Sequence, residues 1–364
     1  MHSEGKGAFI GNGSASRIDF LDFVKGIAII CIIIGHCGAD KSLHALVVFS
    51  FHIPIFFIVA GFLAAQRITT SAGLGETLKK NFIRLMIPYF FTGLLIFVLS
   101  MSIEFSLVVR EYLRAGHGFI LSLNESVDFA GAAILKIGKQ SFINFIYGTS
   151  SKITLSDYTI ESVGYLWFLP ASFIANLIFY LFLKIFRTYS AAIQITVVML
   201  LTIAGYMIGR YYFLPWGIQI SFVAQIFLYF GYAISRYRLY EKKAPLWLLA
   251  GAFGFWIFDL YMGGINMMLN QYNIPVISIA GAAAASFLIF KAAYYLSAGN
   301  RLYYKAIVFI GKRSLVIYCF HVFDILTCSP VISALSLDFL YTNKFWMLLT
   351  VWRLAYSLAI AKIL

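Results

Sequence analysis

Charge is what this sequence has least of. Only 12% of its 364 residues are Asp, Glu, Lys or Arg, against about 25% in a soluble domain. So little charge across so long a chain argues against a soluble enzyme or binding module and for a membrane class. Cysteine is scarce too. Cys31, Cys37, Cys319 and Cys328 sit in or beside apolar runs, without C-x-x-C or other ligand spacing. That argues against a metal site and for inert buried thiols. Residues 1–16 are polar and Gly/Ser-rich with no apolar core of a signal peptide, so the first apolar segment is expected to be retained as a span. No internal repeat, inverted or parallel, is visible.

What the chain has is apolar length. Hydrophobic residues make up 61%, in ten runs near 23–37, 47–65, 87–105, 166–186, 191–208, 217–234, 245–262, 275–296, 314–332 and 345–363. A span needs roughly 20 apolar residues, so the expectation is an all-α polytopic membrane protein of about ten helices. A single membrane domain is expected to fill residues 1–364.

The net charge of +13 does not form a nucleic-acid surface. Basic residues cluster in alternate connections: Arg67, Lys79, Lys80 and Arg84; Lys184 and Arg187; Arg236, Arg238, Lys242 and Lys243; Lys291 to Arg313. The connections between carry few. By the positive-inside rule both termini are cytoplasmic. The stretch 106–165 carries both signs and is expected as one long external loop, since long loops translocate regardless of charge. Its amphipathic piece, 132–147, suits the membrane surface.

The first run, RIDFLDFVKGIAIICIIIGHC, holds polar residues that are costly in a bilayer and are therefore functional candidates. Eleven residues from Lys25 to His36 make three helical turns plus about 20°, so both share one face roughly 16 Å apart. Asp22, three residues before Lys25, reaches the same face. Snorkelling anchors are the plain alternative for Asp22 and Lys25, and a hydrogen-bonded helix-end histidine for His36. His52 opens the next run after a short connection, so both imidazoles belong near the outer side.

These residues resemble a known family. Asp22-x-x-Lys25-Gly26-Ile27 with Gly35-His36 is similar to the first helix of the acyltransferase family 3 integral membrane O-acyltransferases, where a basic residue precedes the catalytic histidine by ten others. FHIPIFFIVAGFL from Phe51 is similar to the family's second helix, departing at Ala60, where Ser is usual. KNFIRLMIPY from Lys80, YLWFLPA from Tyr165 and IGKRSLVIYCFH from Ile310 resemble its later motifs, in order. The first helix is worded closest to the fucose 4-O-acetylase-like branch.

The resemblance implies a bacterial cytoplasmic-membrane enzyme that moves an acyl group, usually acetyl, from cytoplasmic acetyl-CoA or another acyl-CoA to a hydroxyl of an envelope polysaccharide or lipid-linked sugar. No metal takes part. His36 becomes the catalytic residue, as base or as transient acyl carrier, with Asp22 and Lys25 supporting its helix. His52, Trp167 and His321 are candidates for acceptor or oxyanion contacts. Lys25, Lys79, Lys80 and Arg84 are candidates for the phosphates of coenzyme A; ordinary positive-inside bias explains the last three equally well. His321 can pair with Asp324 on one face, as a structural pair or as a catalytic helper. A proton-coupled transporter or flippase of envelope sugars, working through Lys25, His36 and His321, is the rival reading. An inactive relative that keeps the fold is a third.

Overall fold

The computed structural model describes residues 19–37, 42–68, 74–116, 138–155, 158–298, 301–334 and 345–363. The polar N-terminal residues 1–16 lie outside the described residues.

The chain is helical nearly throughout. In order come α1 (Asp19–Gly35), α2 (Leu43–Phe49), α3 (Pro54–Ile68), α4 (Leu74–Arg114) and α5 (residues 138–147). Then follow α6 (Phe168–Phe186), α7 (Ala191–Gly209), α8 (Ile218–Val223), α9 (Gln225–Arg236) and α10 (Leu246–Tyr261). The last are α11 (Pro275–Ser297), α12 (Leu302–Lys312), α13 (Ser314–Ala334) and α14 (Trp346–Ile363). Two small antiparallel ribbons interrupt them: β1 (Ile153–Leu155) with β2 (Tyr158–Ile160), and β3 (Ile265–Asn266) with β4 (Gln271–Tyr272).

Each of the ten apolar runs falls on a helix, but they are not ten equal spans. Six stretches are long and apolar enough to cross a membrane, and the bent pairs α8–α9 (52°) and α12–α13 (70°) bring the number to eight. The other two runs form α1, with 17 residues, and α10, with 16. Large apolar side chains point outward on α4, α7, α10, α11 and α14: Leu94, Leu200, Trp247, Val276 and Val351 are all more than half exposed. Water would penalise such a surface and lipid does not. This is a multi-pass membrane protein.

The stretch 106–165 is only partly loop. Helix α4 continues through it to Arg114, and α5 and the β1–β2 ribbon fill most of its other described part. At 1.5 Å per residue the 41 residues of α4 reach about 60 Å, twice the hydrocarbon thickness.

Helix α1 is the hub. It packs on α2, α3, α11, α12, α13 and α14, and Val24, Ala28, Ile29 and Ile33 have no exposed surface. Glycine makes the closest approaches. A Cβ on Gly311 would fall on the carbonyl of Asp22, and one on Gly26 on the carbonyl of Ile307, so α12 lies directly against α1. Gly61 of α3 and Gly231 of α9 are reciprocal: each faces a backbone carbonyl of the other helix, Leu228 and Ile58. Lipid supplies no hydrophobic drive between helices, so small residues that bring backbones together carry the packing. Gly231→Val should therefore destabilise the protein by about 1–3 kcal/mol, read as unfolding in detergent. An unchanged midpoint would contradict the α3–α9 contact.

One buried cation ties α11 to the end of α9. Lys291 on α11 is 3% exposed, and its Nζ donates to the carbonyls of Leu239, Tyr240 and Lys242 just beyond α9. Those carbonyls have no further helical turn to accept from.

Candidate active site

His36 sits one residue past the end of α1. Its backbone N–H still donates to the carbonyls of Ile32 and Ile33, so the ring is carried by the last turn of the buried helix α1. Gly35, without a side chain, lets the ring of Phe49 close on that end. After α2, capped by Ser42 Oγ accepting from the Ala45 N–H at 3.3 Å, the chain turns back and Pro54 opens α3. His52 lies in that turn. Its Nδ1 donates to the carbonyl of Val48 at 2.9 Å, which leaves Nε2 as the acceptor nitrogen of a neutral ring.

Both imidazoles line one cavity of about 320 Å³. Its other polar walls are Tyr165, Trp167, Tyr318 and Asn266 of the β3–β4 ribbon. Tyr165 packs on the His36 ring with centroids 3.8 Å apart. The sequence reading thus placed His36, His52 and Trp167 at one site, and the structure brings all three together. His321 lies behind: its ring stacks on His36 at 5.6 Å and 23°. It is fully buried, and neither ring nitrogen has a hydrogen-bond partner among the described residues.

The pairing expected between His321 and Asp324 is replaced by another. Asp324 Oδ2 lies 2.9 Å from Nε of Arg353 on α14, and the Arg353 Nη1 donates to the carbonyl of His36 at 2.7 Å. Arg353 is 1% exposed. A guanidinium donates in several directions at once, so this one ties α13, α14 and the His36 backbone together. Sequence reasoning passed over Arg353, although a cation within an apolar run is itself a signal.

A second cavity, of about 390 Å³, lies toward the other end of α1. Lys25, Arg84 and Lys312 line it, with Ser172 and Asn176 of α6. Lys25 pairs with Asp22 at 2.6 Å, as its spacing implied, and Lys312 with Asp19 at 3.0 Å. Arg84 bonds the Asn81 amide oxygen at 3.2 Å and has no acidic partner among the described residues. The sharp bend between α12 and α13 puts Lys312 and Ser314 in this wall. Lys79 and Lys80 are elsewhere: both are exposed and outside the cavity lining, and Lys80 pairs with Glu76 at 2.6 Å. A larger hollow, about 550 Å³ between α4 and α5, contains no titratable side chain. Chemistry, not size, selects the two cavities along α1.

A cavity with two histidines at one end of a helix and a cationic cavity at the other suits transfer of a group between ligands of unlike chemistry. A family model described as an acyltransferase domain, that of acyltransferase family 3, matches residues 18–362. The chain belongs to this family. Its members are acyltransferases, so the cavities belong to a membrane O-acyltransferase. No curated protein and no solved structure matches the chain. No group of three or more His, Cys, Asp or Glu able to hold a metal occurs among the described residues.

Proposed function

We propose that the enzyme moves an acetyl group from cytoplasmic acetyl-CoA to a hydroxyl of an envelope polysaccharide or lipid-linked sugar, in the cytoplasmic membrane of a bacterium. The observation that carries this reading is the pair of cavities strung along α1: cations at one end, imidazoles at the other. In this reading all ten apolar runs cross the membrane, and the basic connections assign both termini, with Lys25, Arg84 and Lys312, to the side where acyl-CoA is found. Phosphates suit these cations. The wording of α1, similar to the fucose 4-O-acetylase-like branch, fits an acetyl donor and a sugar acceptor.

Chemically, the acceptor O–H loses its proton to His36 as its oxygen attacks the thioester carbonyl. The C–S bond then breaks, the C–O bond remains, and His36 returns the proton to the departing thiolate. His52, Trp167 and Asn266 surround the same space and are placed to contact the sugar or the developing oxyanion. His36 as a transient acyl carrier uses the same geometry in two steps. Asp22 holds Lys25, and Arg353 holds the His36 backbone.

Purified protein in detergent, given radiolabelled acetyl-CoA and an envelope glycan extract, should label the glycan. Proton-linked sugar uptake by proteoliposomes without acetyl-CoA would instead establish the transporter. Within this reading, Arg84→Gln should raise the KM for acetyl-CoA about 10-fold, the scale of one charge-assisted contact. Lys79→Gln and Lys80→Gln should leave it unchanged, since neither side chain lines the cavity. Equal effects at all three positions would reduce the role of Arg84 to general surface charge.

A further inference from the structure

The two cavities have two residues in common. Phe168, at the first turn of α6, and Tyr318, in α13, line both the His36 cavity and the Lys25 cavity. Their rings meet edge to face, with centroids 5.7 Å apart and planes at 65°. Both residues are under 10% exposed. Phe168 is backed by Phe56 and Phe57 of α3, at 5.8 and 5.6 Å. Tyr318 is held by its hydroxyl, which donates to the carbonyl of Tyr165, and Tyr165 carries the ring that packs on His36. The partition is therefore made of two rings, one held by packing and one by a single hydrogen bond. Directly below it on the same face of α6, four and eight residues on from Phe168, stand Ser172 and Asn176. Ser172 Oγ is buried with no hydrogen-bond partner among the described residues. A buried hydroxyl left unpaired in a cavity is a place for a polar ligand atom.

We propose that the Phe168–Tyr318 pair is the acyl-length filter of this enzyme, a constriction that only the acyl end of the donor passes on its way from the Lys25 cavity to His36. This inference rests on the acyl-CoA reading above. Ser172 then hydrogen-bonds the amide-bearing arm of the thioester, while the rings close around the thioester that joins this arm to a short acyl group beyond them. The two touching rings must part for any acyl group; an acetyl group needs the smallest displacement, and each added methylene needs more. One methylene in an apolar pocket changes selectivity by about 10–200-fold, so two rings suffice to separate acetyl from hexanoyl.

Two measurements test the filter. In the first, transfer is measured with acetyl-, butyryl- and hexanoyl-CoA. Phe168→Ala should raise the hexanoyl-to-acetyl ratio of kcat/KM by about 10-fold or more, and Phe168→Leu, the milder variant should alanine not fold, by less. An unchanged ratio in a variant that still transfers acetyl overturns the proposal. The second does not depend on activity. With the four native cysteines replaced, a cysteine is introduced in the Lys25 cavity by Ala60→Cys, and a small thiol reagent is applied from the His36 side. Labelling should be slow with Phe168 present and fast with Phe168→Ala. Equal labelling in both, or labelling in neither, shows that these rings do not divide one passage. A wild-type enzyme that transfers no acyl group would defeat the acyl-CoA reading, and the labelling would still decide whether the partition exists.

Discussion

Replacing His36 by alanine should lower kcat for acyl transfer by about 10²–10⁴-fold, the range a positioned acid–base group contributes. The KM for acyl-CoA should stay close to its wild-type value. The split follows from geometry: His36 and the cations line different cavities at opposite ends of α1, so removing the ring deletes chemistry and spares donor binding. His52→Gln provides the control within the same cavity. His52 also presents an acceptor nitrogen, because its Nδ1 is committed to Val48. If the two variants lose activity equally, the imidazoles act as a unit and the assignment of a single base is wrong. If only the His52 variant is inactive, the base is His52.

Arg353→Met should be the most destabilising single change in the helical bundle, by about 3–5 kcal/mol, the cost of leaving one member of a buried ion pair alone. The change leaves the Asp324 carboxylate buried without its guanidinium and frees the carbonyl of His36. Asp324→Asn in the same chain should recover part of the loss, because it removes the stranded charge. A double-mutant cycle on unfolding in detergent measures the coupling. Additive effects would show that the pair does not act as one. The recovered double variant should still transfer acyl groups poorly, because two neutral side chains remove the stranded charge without restoring the hold on the His36 backbone.

Much of this was legible in the sequence because it is local or periodic. Asp22, Lys25 and His36 are joined by helical spacing alone, and the Asp22–Lys25 pair forms. His36 and His52 are separated by a short connection, so a shared cavity was within reach of the reading. The residues that escaped it are joined through space across long sequence separations. Arg353 meets His36 from 317 positions away, and no motif or periodicity reports such a contact. Lys312 reaches the cationic cavity only because α12 and α13 meet at a bend. Lys79 and Lys80 were grouped with Arg84 by charge and proximity in sequence. A helix turns about 100° per residue, so neighbours in sequence need not share a face, and only Arg84 lines the cavity. The partner of Asp324 was likewise chosen by spacing, when tertiary packing had put a guanidinium closer. Ala60, where the second-helix motif departs from the family resemblance, lines the same cavity as Ser172, whose hydroxyl has no partner among the described residues.

In the proposed reaction one helix links a donor site on one side of the membrane to a base on the other. The direct measurement uses proteoliposomes with the enzyme in one orientation, radiolabelled acetyl-CoA confined to the side of Lys25 and the glycan acceptor confined to the side of His36. Label should appear on the acceptor with wild-type protein and not with His36→Ala. Transfer that occurs only when donor and acceptor share one compartment would contradict this arrangement.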